Sequence, residues 1–194
     1  IRIDIKYVNG ENEVDIDVLK KEDKDFNNAS FNFDNGKFES IREQEKMSKS
    51  KFNVVNPDEI CDQYGADTLR MYEMFLGPIE QSKPWDTRGI SGVYSFLKRF
   101  WNLFFEDDKL TLTEDIPSEE SLKSLHKTIK KITEDIEKLN LNTCISSFMI
   151  CVNELSALKC NNRLILEQLL VLISPFAPHF AEELWSQIGN TKSI

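Results

Sequence analysis

Ile90-Ser91-Gly92-Val93-Tyr94-Ser95-Phe96-Leu97-Lys98-Arg99-Phe100-Trp101-Asn102-Leu103-Phe104 decides the fold class. Ile90, Val93, Tyr94, Leu97, Phe100, Trp101 and Phe104 return at intervals of three and four, a spacing that a helix turns into one wide apolar face. The same period continues downstream. Asp107-Asp108 and Pro117 mark a loop, and Ser118 can cap a helix in which Leu122, Leu125, Ile129, Ile132, Ile136 and Leu139 form a narrow seam. A helix after Asn142 buries Ile145, Phe148, Cys151, Val152, Leu155 and Leu158. Leu164 to Ile173 is apolar on nearly every side and reads as a central, buried helix, which Ser174-Pro175-Phe176-Ala177-Pro178 breaks. A final helix carries Phe180, Leu184, Trp185 and Ile188 and stops at Gly189. The chain is therefore expected to be mainly α, with an antiparallel helical bundle over residues 87–194.

Upstream, residues 45–86 read as a loop followed by two short helices. Asn56 is an N-cap, Pro57 suits the first helical position, and Glu59 can close a capping box. Gly65 stops that helix near Tyr64, and a second runs from Ala66-Asp67 to about Leu76, where Gly77-Pro78 ends it. Residues 77–86 form a connector containing Pro84-Trp85-Asp86.

Residues 1–44 read as a small β module. Ile1, Ile3 and Ile5 alternate with polar neighbours, Asn9-Gly10 is a hairpin turn signal, and Val14, Ile16 and Val18 resume the alternation. After a charged patch from Lys20 to Asp25, a second hairpin is expected around Asn35-Gly36, with arms Ala29 to Phe33 and Lys37 to Glu39. Four short strands can bury only one face, so the module is expected to be a structural insertion.

A chain of 194 residues with 40% hydrophobic and 29% charged residues can hold one substantial core, or one core plus a small appended module. Its net charge of −9 opposes indiscriminate nucleic-acid binding but leaves room for a local basic face. Cys61, Cys144, Cys151 and Cys160 show no Cys-x-x-Cys spacing; Cys144 and Cys151, seven apart, share a helical stripe and read as reduced core residues. No apolar run has the length of a membrane span and no leader opens the chain, which points to a cytoplasmic protein. Ile1 stands in mid-pattern and the sequence stops just after a helix, so a piece of a longer protein is expected.

Chemistry concentrates in Lys46-Met47-Ser48-Lys49-Ser50, continued by Lys51-Phe52-Asn53. Lysine ammonium groups are reorientable point charges, and hydroxyls and main-chain N–H groups donate between them, a composition suited to wrapping anionic oxygens. The helix start that follows adds the positive end of its dipole, so a polyphosphate site is one reading and a solvated lysine surface the other. His126 and His179 read as packing or capping residues. No nucleophile is paired with a base, and no glycine-rich phosphate loop is present. Lys123, Lys127, Lys130 and Lys131, beside His126, form a second basic feature, to which Lys98-Arg99 would add if the two helices are neighbours. RNA contact and a solvated, self-paired face both remain open for it.

The run Lys46 to Pro57, then Tyr64-Gly65-Ala66-Asp67-Thr68-Leu69-Arg70, resembles class I aminoacyl-tRNA synthetases and the leucyl-tRNA synthetase family within them. Met74 to Glu80, Trp85, Gly92 to Leu97, Ser174 to His179 and Glu182 to Trp185 extend the resemblance over about residues 46–189. It implies activation of leucine with ATP to leucyl-adenylate and transfer to tRNA(Leu), with magnesium accompanying ATP outside this stretch. Lys46 and Lys49 would be the catalytic cations, Lys46, Met47, Ser48, Lys49 and Ser50 the ATP-contacting set, and Lys51, Lys123, Lys127, Lys130 and Lys131 the tRNA contacts. Residues 1–44 would be an insertion ahead of the lysine loop, similar to a leucine-specific module. Isoleucine and valine enzymes share the loop, and a non-catalytic helical interaction module is a further alternative. The family's paired-histidine signature, its nucleotide-binding fold, leucine pocket and editing domain have no counterpart here, so this chain is expected to be inactive alone. A monomer is expected.

Overall fold

The computed structural model describes residues 3–9, 11–33, 36–41, 45–48, 51 and 53–194. These fall into two compact units, Ile1–Val55 and Asn56–Ile194.

In the first unit a 3-10 turn covers Ile5–Tyr7, helix α1 covers Ile16–Glu22 and a second 3-10 turn covers Lys24–Phe26. The expected β module is thus realised only in part. Val8 bridges Val14 antiparallel, with Asn9 N–H donating to Glu13 O at 2.9 Å and Asp15 N–H to Tyr7 O at 2.8 Å. This short ladder matches the Asn9-Gly10 turn signal, although Gly10 itself lies outside the described residues. The predicted strand through Ile16 and Val18 is a helix instead. Asp15 caps it, accepting from Val18 N–H at 3.0 Å, while Asp17 in the first turn and Lys20 and Lys21 in the last suit its dipole. One cap and a charge gradient outweigh a three-residue alternation. The second predicted hairpin differs too: residues 38–40 pair with 12–14, through Val14 N–H to Phe38 O at 3.0 Å and Ser40 N–H to Asn12 O at 2.8 Å. Asn35 and Ile1 lie outside the described residues. Tyr7, Val14 and Leu19 form a small core, with Phe26, Phe31 and Phe38 packed on it.

The second unit is helical: α2 (Pro57–Tyr64), α3 (Ala66–Phe75), α4 (Ile90–Trp101), α5 (Glu119–Glu137), α6 (Leu141–Ala157), α7 (Arg163–Ile173) and α8 (Pro178–Gln187). Asn56 caps α2 by accepting from Asp58 N–H at 3.1 Å, and Gly65 takes a positive φ of 86° to end it. α3 packs on α4, α6 and α8, and α5 pairs with α6. Ser124 opposite Glu154 and Asp135 opposite Thr143 set α5 and α6 antiparallel. Phe100 and Phe104 of the opening stripe, and Phe96 beside it, are buried with Phe148 of α6, each side chain contributing about 1.5–3 kcal/mol of burial.

Three local features depart from expectation. Residues 105–110 form a two-stranded antiparallel hairpin, β1 (Phe105–Glu106) and β2 (Lys109–Leu110), where a plain loop is predicted. α7 is not buried all round: Ile165, Leu166, Leu169, Leu170 and Ile173 face the core, while Leu164 and Val171, seven apart, are each 53% exposed. The seam of α5 is shifted toward polar groups, with Ser121, Ser124, Thr128 and Asp135 buried and Ile136 and Leu139 exposed. Small hydroxyls bring α5 close to α6 and find partners there or on their own helix: Ser124 Oγ donates to Glu154 at 2.6 Å and Thr128 Oγ1 to Ser124 O at 2.9 Å. Cys144 and Cys151 are buried as expected, and burial pushes the Cys144 thiol up to about 11.

Candidate functional site

The lysine loop lies in the first unit. Lys46 and Met47 are exposed, and the Lys46 ammonium forms no ion pair among the described residues. Ser48 N–H donates to Asn53 Oδ1 at 2.8 Å, Asn53 Nδ2 donates to Lys46 O at 3.4 Å, and Lys51 N–H donates to Ser48 O at 3.0 Å. A single side chain therefore gathers the main chain of residues 46–48. Lys51, named as an RNA contact from sequence, pairs with Glu45 at 3.2 Å. Lys49 and Ser50 lie outside the described residues. What the described part presents outward is the Lys46 ammonium, while the Ser48 and Lys51 N–H groups donate within the loop. An exposed ammonium of this kind suits phosphate oxygens.

In the second unit Lys123, Lys127, Lys130 and Lys131 are all exposed on α5, but not equivalent. Lys123, Lys127 and Lys130 follow at i, i+4 and i+7 and share a face. Lys131 turns off it to pair at 2.7 Å with Asp135, which is buried and also accepts from Thr143 Oγ1 at 2.5 Å. Burial would raise the Asp135 carboxyl, yet the hydrogen bonds from Lys131 and Thr143 and the Lys131 charge hold it below its ordinary value. Lys127 reaches Glu154 only at 3.9 Å. Lys98 and Arg99 do not join this face. α4 packs on α3 and α6, so Lys98 lies 4.3 Å over the Tyr94 ring and Arg99 donates to Asn153 of α6.

Where the junction of α2 and α3 meets α4 and the start of α8, a groove is lined by Tyr64, Tyr94, Trp101, Phe180 and Lys98. Tyr64 and Tyr94 meet edge-on at 5.7 Å, and Trp101 stacks on Phe105 at 5.0 Å. Asp67 holds the groove's floor: its carboxylate accepts from Phe180 N–H at 2.6 Å and lies 3.0 Å from His179 Nδ1. Asp67 thus caps α8 from another helix, a role that sequence periodicity cannot signal because cap and helix are 113 residues apart. Both histidines, expected to pack or cap, have exposed side chains: His179 meets the capping Asp67, and His126 lies on the surface of α5.

Two family descriptions match the chain: "Anticodon-binding domain of tRNA ligase" over residues 119–194 and "tRNA synthetases class I (I, L, M and V)" over residues 39–86. Leucine–tRNA ligases of Flavobacterium psychrophilum and Flavobacterium johnsoniae are 60% and 59% identical to it across its full length. The chain is thus similar along its whole length to leucine–tRNA ligases, and it carries both an anticodon-binding match and a class I synthetase match. It spans about a fifth of the length of those relatives, 20% of each. A solved leucine enzyme from Agrobacterium radiobacter, in a ternary complex described as LeuRS-tRNA-LeuAMS, superposes with a TM-score of 0.63 at 29% identity, covering 76% of this chain and 21% of that one. Among the described residues no helix is long and apolar enough to cross a membrane.

Proposed function

We propose that this chain is the part of a leucine–tRNA ligase that brings a lysine loop to ATP and a helical bundle to tRNA(Leu). The observation that carries the reading is the unbroken match, over the whole chain, to enzymes named leucine–tRNA ligase. The whole protein would activate leucine with ATP and transfer it to tRNA(Leu). Residues 1–44 would serve as an insertion, 45–86 as the ATP loop and stem-contact helices, and 87–194 as the tRNA-docking bundle. Lys46 and Lys49 would neutralise charge developing on the departing pyrophosphate as the leucine carboxylate attacks the α-phosphorus, favouring the transition state over the ground state. Met47, Ser48 and Ser50 would complete the contact, and magnesium would enter with ATP, held by residues outside this chain. The exposure of the Lys46 ammonium supports this role. The tRNA-contact set proposed here is Lys123, Lys127 and Lys130, with Lys51 and Lys131 weaker members because each is engaged by a neighbouring carboxylate. The enzyme would act in the cytoplasm as a monomer.

The test is leucine-dependent ATP–pyrophosphate exchange by the full-length enzyme. Lys49→Ala is expected to lower turnover by about 100-fold or more while leaving leucine affinity near its original value. Unchanged turnover would reject the assignment, and robust exchange by this chain alone would reject the division of labour.

A further inference from the structure

The loop that presents Lys46 is held by something other than regular secondary structure. Residues 45–48 belong to no helix or strand, so no ladder of main-chain hydrogen bonds fixes their backbone. Asn53 supplies two hydrogen bonds to it at once. Its Oδ1 accepts from Ser48 N–H at 2.8 Å, and its Nδ2 donates to Lys46 O at 3.4 Å. An asparagine carboxamide is the shortest side chain that both donates and accepts from a planar group, which lets one residue bracket a turn. Lys51 N–H to Ser48 O at 3.0 Å closes the turn on the same side, and Lys51 to Glu45 at 3.2 Å ties its two flanks. The main chain of 46–48 is bracketed while the Lys46 side chain stays exposed.

That division matters for a cation that must meet charge at a set place. Electrostatic stabilisation is effective when the charge is already in position and falls when the group must be reorganised during reaction. A lysine on an unbraced loop would have to order its backbone as well as its side chain on binding, at about 1–2 kcal/mol per residue. We propose that Asn53 is a positioning residue, whose carboxamide fixes the backbone of Lys46–Ser48 so that the Lys46 ammonium is presented to the phosphates of a bound nucleoside triphosphate. The inference rests on the reading of the loop as the ATP contact. Asn53 lies outside the small core of Tyr7, Val14 and Leu19, so removing its carboxamide should loosen the loop without unfolding the unit.

The experiment uses the full-length enzyme with three substitutions: Asn53→Ala, Asn53→Asp and Lys46→Ala. Amide exchange of Ser48 reports the brace, calorimetric titration with a non-hydrolysable ATP analogue reports phosphate contact, and ATP–pyrophosphate exchange reports turnover. Asn53→Ala is expected to speed Ser48 amide exchange about tenfold, weaken the analogue and lower turnover about tenfold, with KM for leucine unchanged. Asn53→Asp keeps the oxygen that accepts from Ser48 and should restore that amide's protection, while turnover recovers only in part because Lys46 O has lost its donor. Ser48 exchange or turnover left unchanged by Asn53→Ala overturns the proposal, as does a global loss of melting temperature that would make Asn53 a folding residue. Lys46→Ala separates the two levels. If it changes neither analogue affinity nor turnover, the ATP-loop reading itself is wrong; if it lowers both while Asn53→Ala does not, only the role of Asn53 falls.

Discussion

Asp135 is 2% exposed on the face that α5 turns to α6, yet it remains the kind of group that ordinarily seeks water. It is tolerated because Lys131 reaches it at 2.7 Å and Thr143 donates at 2.5 Å, so both carboxylate oxygens are engaged. Burial pushes its pKa up, but those donors outweigh it and the folded value lies below the ordinary one. The unfolded chain therefore binds the proton more readily, and stability rises with pH through this titration. The contribution should be complete above the unfolded value of about 3.9 and lost as pH falls through the lower folded value. Asp135→Asn is expected to cost on the order of 1–3 kcal/mol at neutral pH, read by urea unfolding. The gap from wild type should shrink as pH is lowered below 4, roughly the unfolded value. A gap that stays constant between neutral and strongly acidic pH would show that the charge is not what α5 and α6 use.

The hairpin of β1 and β2 turns on Asp107 and Asp108, with φ of 48° and 58°. Two consecutive positive values are the signature of the primed turn that matches the twist of paired strands. Aspartate tolerates the left-handed region but does not prefer it as glycine does. Asp108→Gly should therefore raise thermal stability by about 0.5–1 kcal/mol, measured as an upward shift in melting temperature; a downward shift would mean the Asp108 side chain contributes more than its backbone costs. The same residues show what sequence could and could not announce. Asn56, Pro57 and Gly65 bound α2 through local chemistry, and the stripe from Ile90 to Phe104 declares α4 through period alone. A turn written Asp-Asp lacks the glycine that flags a hairpin, so β1 and β2 were hidden. Val14, Ile16 and Val18 alternate like a strand across the start of α1, while the deciding feature is a single cap at Asp15. The buried hydroxyls of α5 carry no apolar signal, and Asn53 and Asp67 bond to partners that no period connects to them.

At the scale of the whole chain, a net charge of −9 must be reconciled with the proposed docking on tRNA. The reconciliation is spatial: Lys123, Lys127 and Lys130 repeat along one exposed face of α5, so the local field can be positive on an acidic body. Lys131 shares the helix but spends its charge on Asp135. These roles separate under salt. Each lysine that neutralises a phosphate releases counterions and adds about 0.7–0.9 to the slope of log affinity against log salt. Lys123→Gln with Lys130→Gln should weaken binding of labelled leucine tRNA and flatten that slope by about 1.4–1.8, with the melting temperature little changed. Lys131→Gln should do the reverse, leaving the slope nearly intact while lowering stability, because Asp135 then stays buried without its cation. If the double substitution leaves both affinity and slope unchanged, the α5 face is a solvated surface and the tRNA-docking surface of the bundle must be sought elsewhere, beginning with the groove of Tyr64, Tyr94, Trp101 and Lys98.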